Sequence, residues 1–173
     1  MKKVFVVGLD CAEPSLVFER WRDHLPNLRS LMEGGTYGPL TSTVPAITVP
    51  AWASMMSSKD PGQLGVYGFR NRADHSYERM SIATSRSIQS ARVWDILSGM
   101  GKNVVVVGVP QTYPVTPVRG CLISSFLTPS TQSAYTYPPE LKQEILETIP
   151  DYSYRSDWKR KVFGGGDLFP RNL

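Results

Sequence analysis

The sequence predicts an α/β fold with parallel strand pairing, and three features point to it. Residues 3–9 (KVFVVGL) and 103–109 (NVVVVGV) are short apolar runs, rich in β-branched side chains, with the length of buried strands. Residues 90–100 carry helical periodicity just before the second run, with Val93, Trp94, Ile96, Leu97 and Met100 as apolar positions. The order strand, helix, strand implies a right-handed crossover and parallel pairing.

The elements follow in order. Asp10 ends the first strand, and Pro14 opens a helical turn with Leu16, Val17, Phe18 and Trp21 as its apolar face. Pro26 opens a second helix with Leu25, Leu28, Leu31 and Met32 inward, stopped by Gly34 and Gly35. Residues 36–43 read as an irregular or edge strand, weakened by Gly38 and Pro39. A short helix then starts at Thr48, with Val49, Trp52, Met55 and Met56 as its buried face, and ends in the turn residues 57–62. Residues 70–87 are polar and read as a solvated excursion, with a substrate rim as the second reading. After the 103–109 strand, Pro110, Pro114 and Pro117 break regular structure, and residues 120–125 (GCLISS) give another strand. A polar loop through Thr128, Ser130 and Thr131 leads to a helix after Pro138 and Pro139, with Leu141, Ile145, Leu146 and Ile149 on one face. From Asp151 aromatic and basic residues interleave, a pattern of packed rings and solvated charges that also suits a nucleic-acid or lipid contact.

Composition narrows the function classes. At 173 residues with 41% hydrophobic content, the chain reads as one soluble domain or a large piece of one. The net charge of +4 is the balance of 19 basic and 15 acidic residues, scattered along the chain. Such diffuse basicity suits an anionic small molecule and argues against a specific nucleic-acid partner. Asp10 interrupts the N-terminal apolar run, so it reads as neither a signal peptide nor a membrane span, and no later run approaches about eighteen apolar residues. Cys11 and Cys121 lack metal-site spacing and read as reduced core thiols of a cytoplasmic protein, with a disulfide between them left open.

Two residues carry chemistry. Thr48 alone reads as an ordinary helix cap, yet a hydroxyl at a helix start, among unpaired amides and the positive end of the dipole, also suits a phosphate. Asp10, at the carboxyl end of a strand, reads equally as a turn former or the cap of the next helix and as a metal ligand, since open α/β sheets hold ligands at that position and a carboxylate there suits a metal.

These residues sit in longer stretches that resemble the type I phosphodiesterase and nucleotide pyrophosphatase branch of the alkaline phosphatase superfamily. The stretches are VVGLD at 6–10, LPNLRSLMEGGTYGPLTSTVPAITVPAWASM at 25–55, KDPGQLGVYGF at 59–69 and GVPQTYPVTPVRGCLISSFLTPS at 108–130. The resemblance implies a three-layer α/β/α sandwich with a mainly parallel central sheet, and a phosphoesterase acting on a small phosphate ester such as a nucleotide. It implies two divalent metals, usually zinc and sometimes manganese, with Asp10 as a metal ligand and Thr48 as both metal ligand and nucleophile, forming a phospho-enzyme intermediate. A metal ion that lowers the pKa of a threonine hydroxyl makes it a competent nucleophile.

Three positions depart from the family pattern. Ala51 stands where related enzymes often carry an asparagine that holds a phosphoryl oxygen, Leu64 where a histidine is common, and Cys11 where a glycine follows the aspartate. The family's remaining ligands are Asp and His residues farther downstream, and this chain has only His24 and His75, neither at metal-ligand spacing. The chain therefore reads as the N-terminal part of a single catalytic domain, or a truncated or degenerate relative, with residues 151–173 opening an inserted or cap segment. The alternative is a non-catalytic module that binds a phosphate ligand on the same fold.

Overall fold

In the computed structural model, residues 3–74 and 76–152 are described. His75 and the basic aromatic stretch from residue 153 onward lie outside the described residues. The chain divides into two compact units, Met1–Ser42 and Thr43–Leu173.

In the first unit, residues 3–9 form no regular structure, and Val4, Phe5, Val6, Val7 and Leu9 are exposed, Phe5 by 90%. This corrects the expectation of a buried strand. An apolar run has strand character only when neighbours supply a hydrogen-bonded ladder and cover its faces, and no strand occurs among the described residues of this unit. Cys11 is exposed, not buried in a core, and Cys11 and Cys121 are free thiols. The helical turn after Pro14 is a π-turn over Ser15–Arg20, closed by Trp21 N–H donating to Leu16 O at 2.8 Å. At its start the Ser15 hydroxyl donates to the Glu13 carboxylate, which holds that carboxyl below its usual range. A 3₁₀ turn, Arg22–His24, leads to α1, Pro26–Gly34, with proline in the first turn where its missing N–H costs nothing. Met32 is buried, but Leu31 is exposed, so the apolar face of α1 is narrower than the periodicity implied. Residues 36–43, expected as an irregular or edge strand, form no strand. Tyr37 instead packs edge-to-face on Phe18, ring centres 5.2 Å apart.

The second unit holds two apolar clusters. Around the first, α2 (Thr48–Ser57) contributes Val49 and Ala53, and α3 (Pro61–Leu64) contributes Leu64. Val66, Ala83, Ile88 and Leu127 complete it. The buried face of α2 thus runs through Val49, Pro50 and Ala53, while Met55, expected inside, is half exposed. α3 is short but well started: the Asp60 carboxylate accepts Gln63 N–H at 2.8 Å.

The polar stretch after α3 is a β-hairpin. β1 (Arg70–Arg72) pairs antiparallel with β2 (Met80–Ile82), in register Arg70 with Ile82 and Arg72 with Met80. A one-turn 3₁₀ helix, Ser85–Ser87, follows.

Around the second cluster, α4 (Val93–Gly99) lays Trp94 against β3 (Val104–Val107) and β4 (Gly120–Ile123). The parallel pairing expected between residues 3–9 and 103–109 does not form; β3 instead pairs parallel with β4, and β4 pairs antiparallel with β5 (Thr136–Tyr137), giving the order β3-β4-β5. The sheets are thus small and mixed, one of two strands and one of three. Val104 and Val106 are buried while Val105 is 72% exposed, so β3 is covered on one face rather than both. The β3–β4 connection is an extended, proline-broken loop, not a helix. Gly120 permits the close pairing at its end: its φ is +127°, and a Cβ there would sit 2.0 Å from Val104 O. α5 (Leu141–Thr148) closes the described chain. No described helix is long and apolar enough to cross a membrane.

Candidate functional site

Thr48 is the first helical residue of α2, with Ile47 in the extended conformation ahead of it as the cap. The sequence therefore located the helix start correctly, one residue away from the cap position. Thr48 is half-buried, and Val49 and Pro50 behind it are buried. The first turn offers fewer backbone donors than most. Pro50 has no N–H, and the Ala51 N–H already donates to Ile47 O at 3.0 Å. Amide donors toward a ligand are therefore confined to the residues ahead of Pro50, where the positive end of the helix dipole lies.

Two loops leave the carboxyl ends of the parallel strands β3 and β4, the side on which α/β sheets hold ligands. The loop after β4 is densely tied. Ser124 N–H donates to Tyr135 O at 2.8 Å, and the Thr128 hydroxyl donates to Ser125 O at 2.7 Å. That leaves the Ser124 hydroxyl as donor in its 2.6 Å contact with Thr128 Oγ1. Ser124, Ser125 and Thr128 are buried, whereas Ser130 and Thr131 of the predicted polar loop are exposed. Leu127 of the same loop shares an apolar cluster with Val49 and Ala53 of α2. The helix that begins at Thr48 is thereby packed on the loop at the carboxyl end of β4.

The loop after β3 contains a residue that sequence reasoning passed over. Gln111 is only 2% exposed, its φ is +60°, and neither amide atom has a hydrogen-bond partner; the buried Ser125 hydroxyl oxygen likewise lacks one. A left-handed glutamine with an orphaned amide costs on the order of a few kcal/mol. Its only sequence signal is a position between two prolines just past a strand end.

Asp10 is exposed, in the turn that follows residues 3–9 of the first unit. The next residue, Cys11, has φ +60°, the left-handed region that favours glycine, and its carbonyl accepts Glu13 N–H at 2.9 Å. The departure at position 11 therefore falls where the backbone asks for glycine. Leu64, the departure from histidine, is 8% exposed inside the first apolar cluster. His24 is exposed in its 3₁₀ turn. Among the described residues, no group of three or more His, Cys, Asp or Glu side chains is placed to hold a metal ion.

A sequence-family model described as type I phosphodiesterase / nucleotide pyrophosphatase matches residues 4–168. No curated protein and no solved structure matches the chain.

Proposed function

The chain belongs to the type I phosphodiesterase / nucleotide pyrophosphatase family, and on that premise we propose that it contributes Thr48 as the nucleophile and Asp10 as a metal ligand of a phosphoesterase centre. The family's hydrolases act on phosphate-ester small molecules such as nucleotides and are generally metal-dependent. The proposed scaffold is the three-layer α/β/α sandwich of the alkaline phosphatase superfamily, with residues 1–173 as the N-terminal part of its catalytic domain.

The observation that carries the reading is the start of α2. A hydroxyl there meets the positive end of a helix, and the helix packs on the loop at the carboxyl end of β4. In the proposed reaction Thr48 Oγ1 forms a bond to phosphorus as the ester P–O bond breaks, and the leaving oxygen takes up a proton. Water then cleaves the bond from Thr48 Oγ1 to phosphorus, releasing phosphate from a monoester substrate or the remaining phosphomonoester from a diester, and restoring the hydroxyl. The helix start favours the added negative charge by about 0.3–1 kcal/mol. A two-metal centre does not fit the side chains described, since Asp10 has no cluster of further ligands among them.

That mismatch, together with Ala51 and Leu64, favours one second reading: a module that binds a phosphate ligand without cleaving it. The test is hydrolysis of a chromogenic phosphodiester with added zinc or manganese. Turnover that disappears in Thr48→Ala supports the enzyme, and full turnover in that variant contradicts it. Absence of both turnover and tight divalent binding in the wild type favours the module.

A further inference from the structure

We propose that the turn at Pro110 and Gln111 is a two-state device: its central peptide flips, moving the Gln111 amide between the buried place described above and a hydrated one. In the buried state Pro110, Gln111 and Thr112 are all covered, Gln111 has φ +60°, and neither atom of its side-chain amide has a hydrogen-bond partner among the described residues. The Thr112 hydroxyl closes the turn by donating to Val109 O at 2.7 Å.

A proline followed by a residue at positive φ is the arrangement of a type II turn, whose third position favours glycine or asparagine. Glutamine at that position is penalised twice, once for the left-handed backbone and once for the unpaired amide. One movement relieves both. Rotating the peptide between Pro110 and Gln111 converts a type II turn into type I, in which φ at the third position is about −90° and the proline keeps the φ that suits either type. The direction of the Gln111 side chain changes with that φ. No wider opening is needed. Gly108 N–H donates to Ile123 O at 3.0 Å ahead of the turn, and behind it Tyr113 O accepts Ser85 N–H at 2.8 Å and Pro114 O accepts the Ser85 hydroxyl at 2.6 Å. Residues 109–112 are thus held at both ends. The flip also leaves the Thr112 hydroxyl bond intact, because Val109 O belongs to the preceding peptide.

The position of the turn gives the device its use. It follows β3 at its carboxyl end, where α/β sheets hold ligands. An outward glutamine offers one donor group and one acceptor there, and a ligand that pairs with them raises the population of the outward state.

The inference goes beyond the phosphoesterase reading and does not depend on it, because both states exist without substrate. The test is relaxation dispersion on the backbone amides of the isotope-labelled protein without ligand. Exchange on the μs–ms timescale is expected at Gln111 and Thr112, with a minor state of about 0.1–10%, while Gly108 and Ser85 on either side stay flat. Gln111→Met keeps the side-chain length with no amide to leave unpaired, and Gln111→Gly adopts positive φ without strain. Each should lower the minor population about fivefold or more. Gln111→Glu acts in the opposite sense: a carboxylate without a partner does not stay buried, so at pH 8 the Thr112 amide shift should move to the minor-state shift extracted from the wild type. Flat profiles at Gln111 and Thr112, exchange of wild-type amplitude in both Gln111→Met and Gln111→Gly, or equal exchange at Gly108 and Ser85 would overturn the proposal.

Discussion

Replacing Leu64 by histidine, the residue common at that position in the family, tests whether packing has taken over from a polar contact. Leu64 is 8% exposed among Val49, Ala53, Val66, Ala83, Ile88 and Leu127. Burial of a leucine side chain is worth about 1.5–3 kcal/mol, and a buried imidazole facing apolar groups leaves donor and acceptor unsatisfied at about 1–3 kcal/mol. Leu64→His should therefore cost about 3–5 kcal/mol, a large part of a typical net stability of about 5–15 kcal/mol. The sign of the pH dependence is distinctive. Burial disfavours the charged ring, so the folded-state pKa of the introduced histidine falls below its unfolded value of about 6.5. As pH drops below that value the unfolded state binds a proton that the folded state refuses, and the deficit grows by about 1.4 kcal/mol per pH unit until the folded pKa is reached. Urea denaturation followed by the fluorescence of buried Trp94, at pH 8 and pH 5, measures both quantities. A variant as stable as wild type at both pH values would refute the argument, because position 64 would then have access to water or a polar partner.

Three further outcomes follow from the backbone and the buried rings. Gly120→Ala places a Cβ 2.0 Å from Val104 O at φ +127° and should cost about 2–5 kcal/mol by urea denaturation; a loss under 0.5 kcal/mol would mean that Val104 and Gly120 are not paired. Cys11→Gly should preserve or slow amide exchange at Glu13, whereas Cys11→Val, β-branched at φ +60°, should accelerate it; equal exchange in both would contradict the left-handed turn. Tyr135 stacks on Tyr152 with ring centres 6.0 Å apart, and burial raises the pKa of each phenol above its ordinary value. The folded state then holds protons that the unfolded state loses near pH 10, so stability should fall as pH rises through that range. The fall should be smaller in Tyr135→Phe by alkaline urea titration, and an unchanged fall would contradict it.

Where local pattern decides structure, the sequence was readable. The helix start at Thr48, the proline opening of α1, the helix α4 and the strands β3 and β4 all appear close to where they were expected. Residues 3–9 were not readable in this way, because an apolar run carries no statement of what pairs with it. The β1–β2 hairpin escaped notice for the opposite reason. Its strands, RNR and MSI, are too short and too polar to show a two-residue alternation. Backbone sign is also invisible in composition: nothing in GVPQTYP marks Gln111 as left-handed, whereas Cys11 could be suspected because a glycine is usual there. Of the candidate site, the place of Thr48 at the start of α2 was legible. The donor arrangement around it depended on Pro50 and Ala51 within the folded first turn.

The central claim, that Thr48 carries the phosphoryl group, has a direct measurement. The protein is quenched in acid during turnover of a phosphodiester with divalent metal present, digested, and its peptides are sequenced by mass spectrometry. Thr48 carrying the phosphoryl group together with the ester substituent that does not leave, in the wild type, and no such adduct in Thr48→Ala, is the predicted result. Sustained turnover with no phosphate on Thr48 would contradict the account.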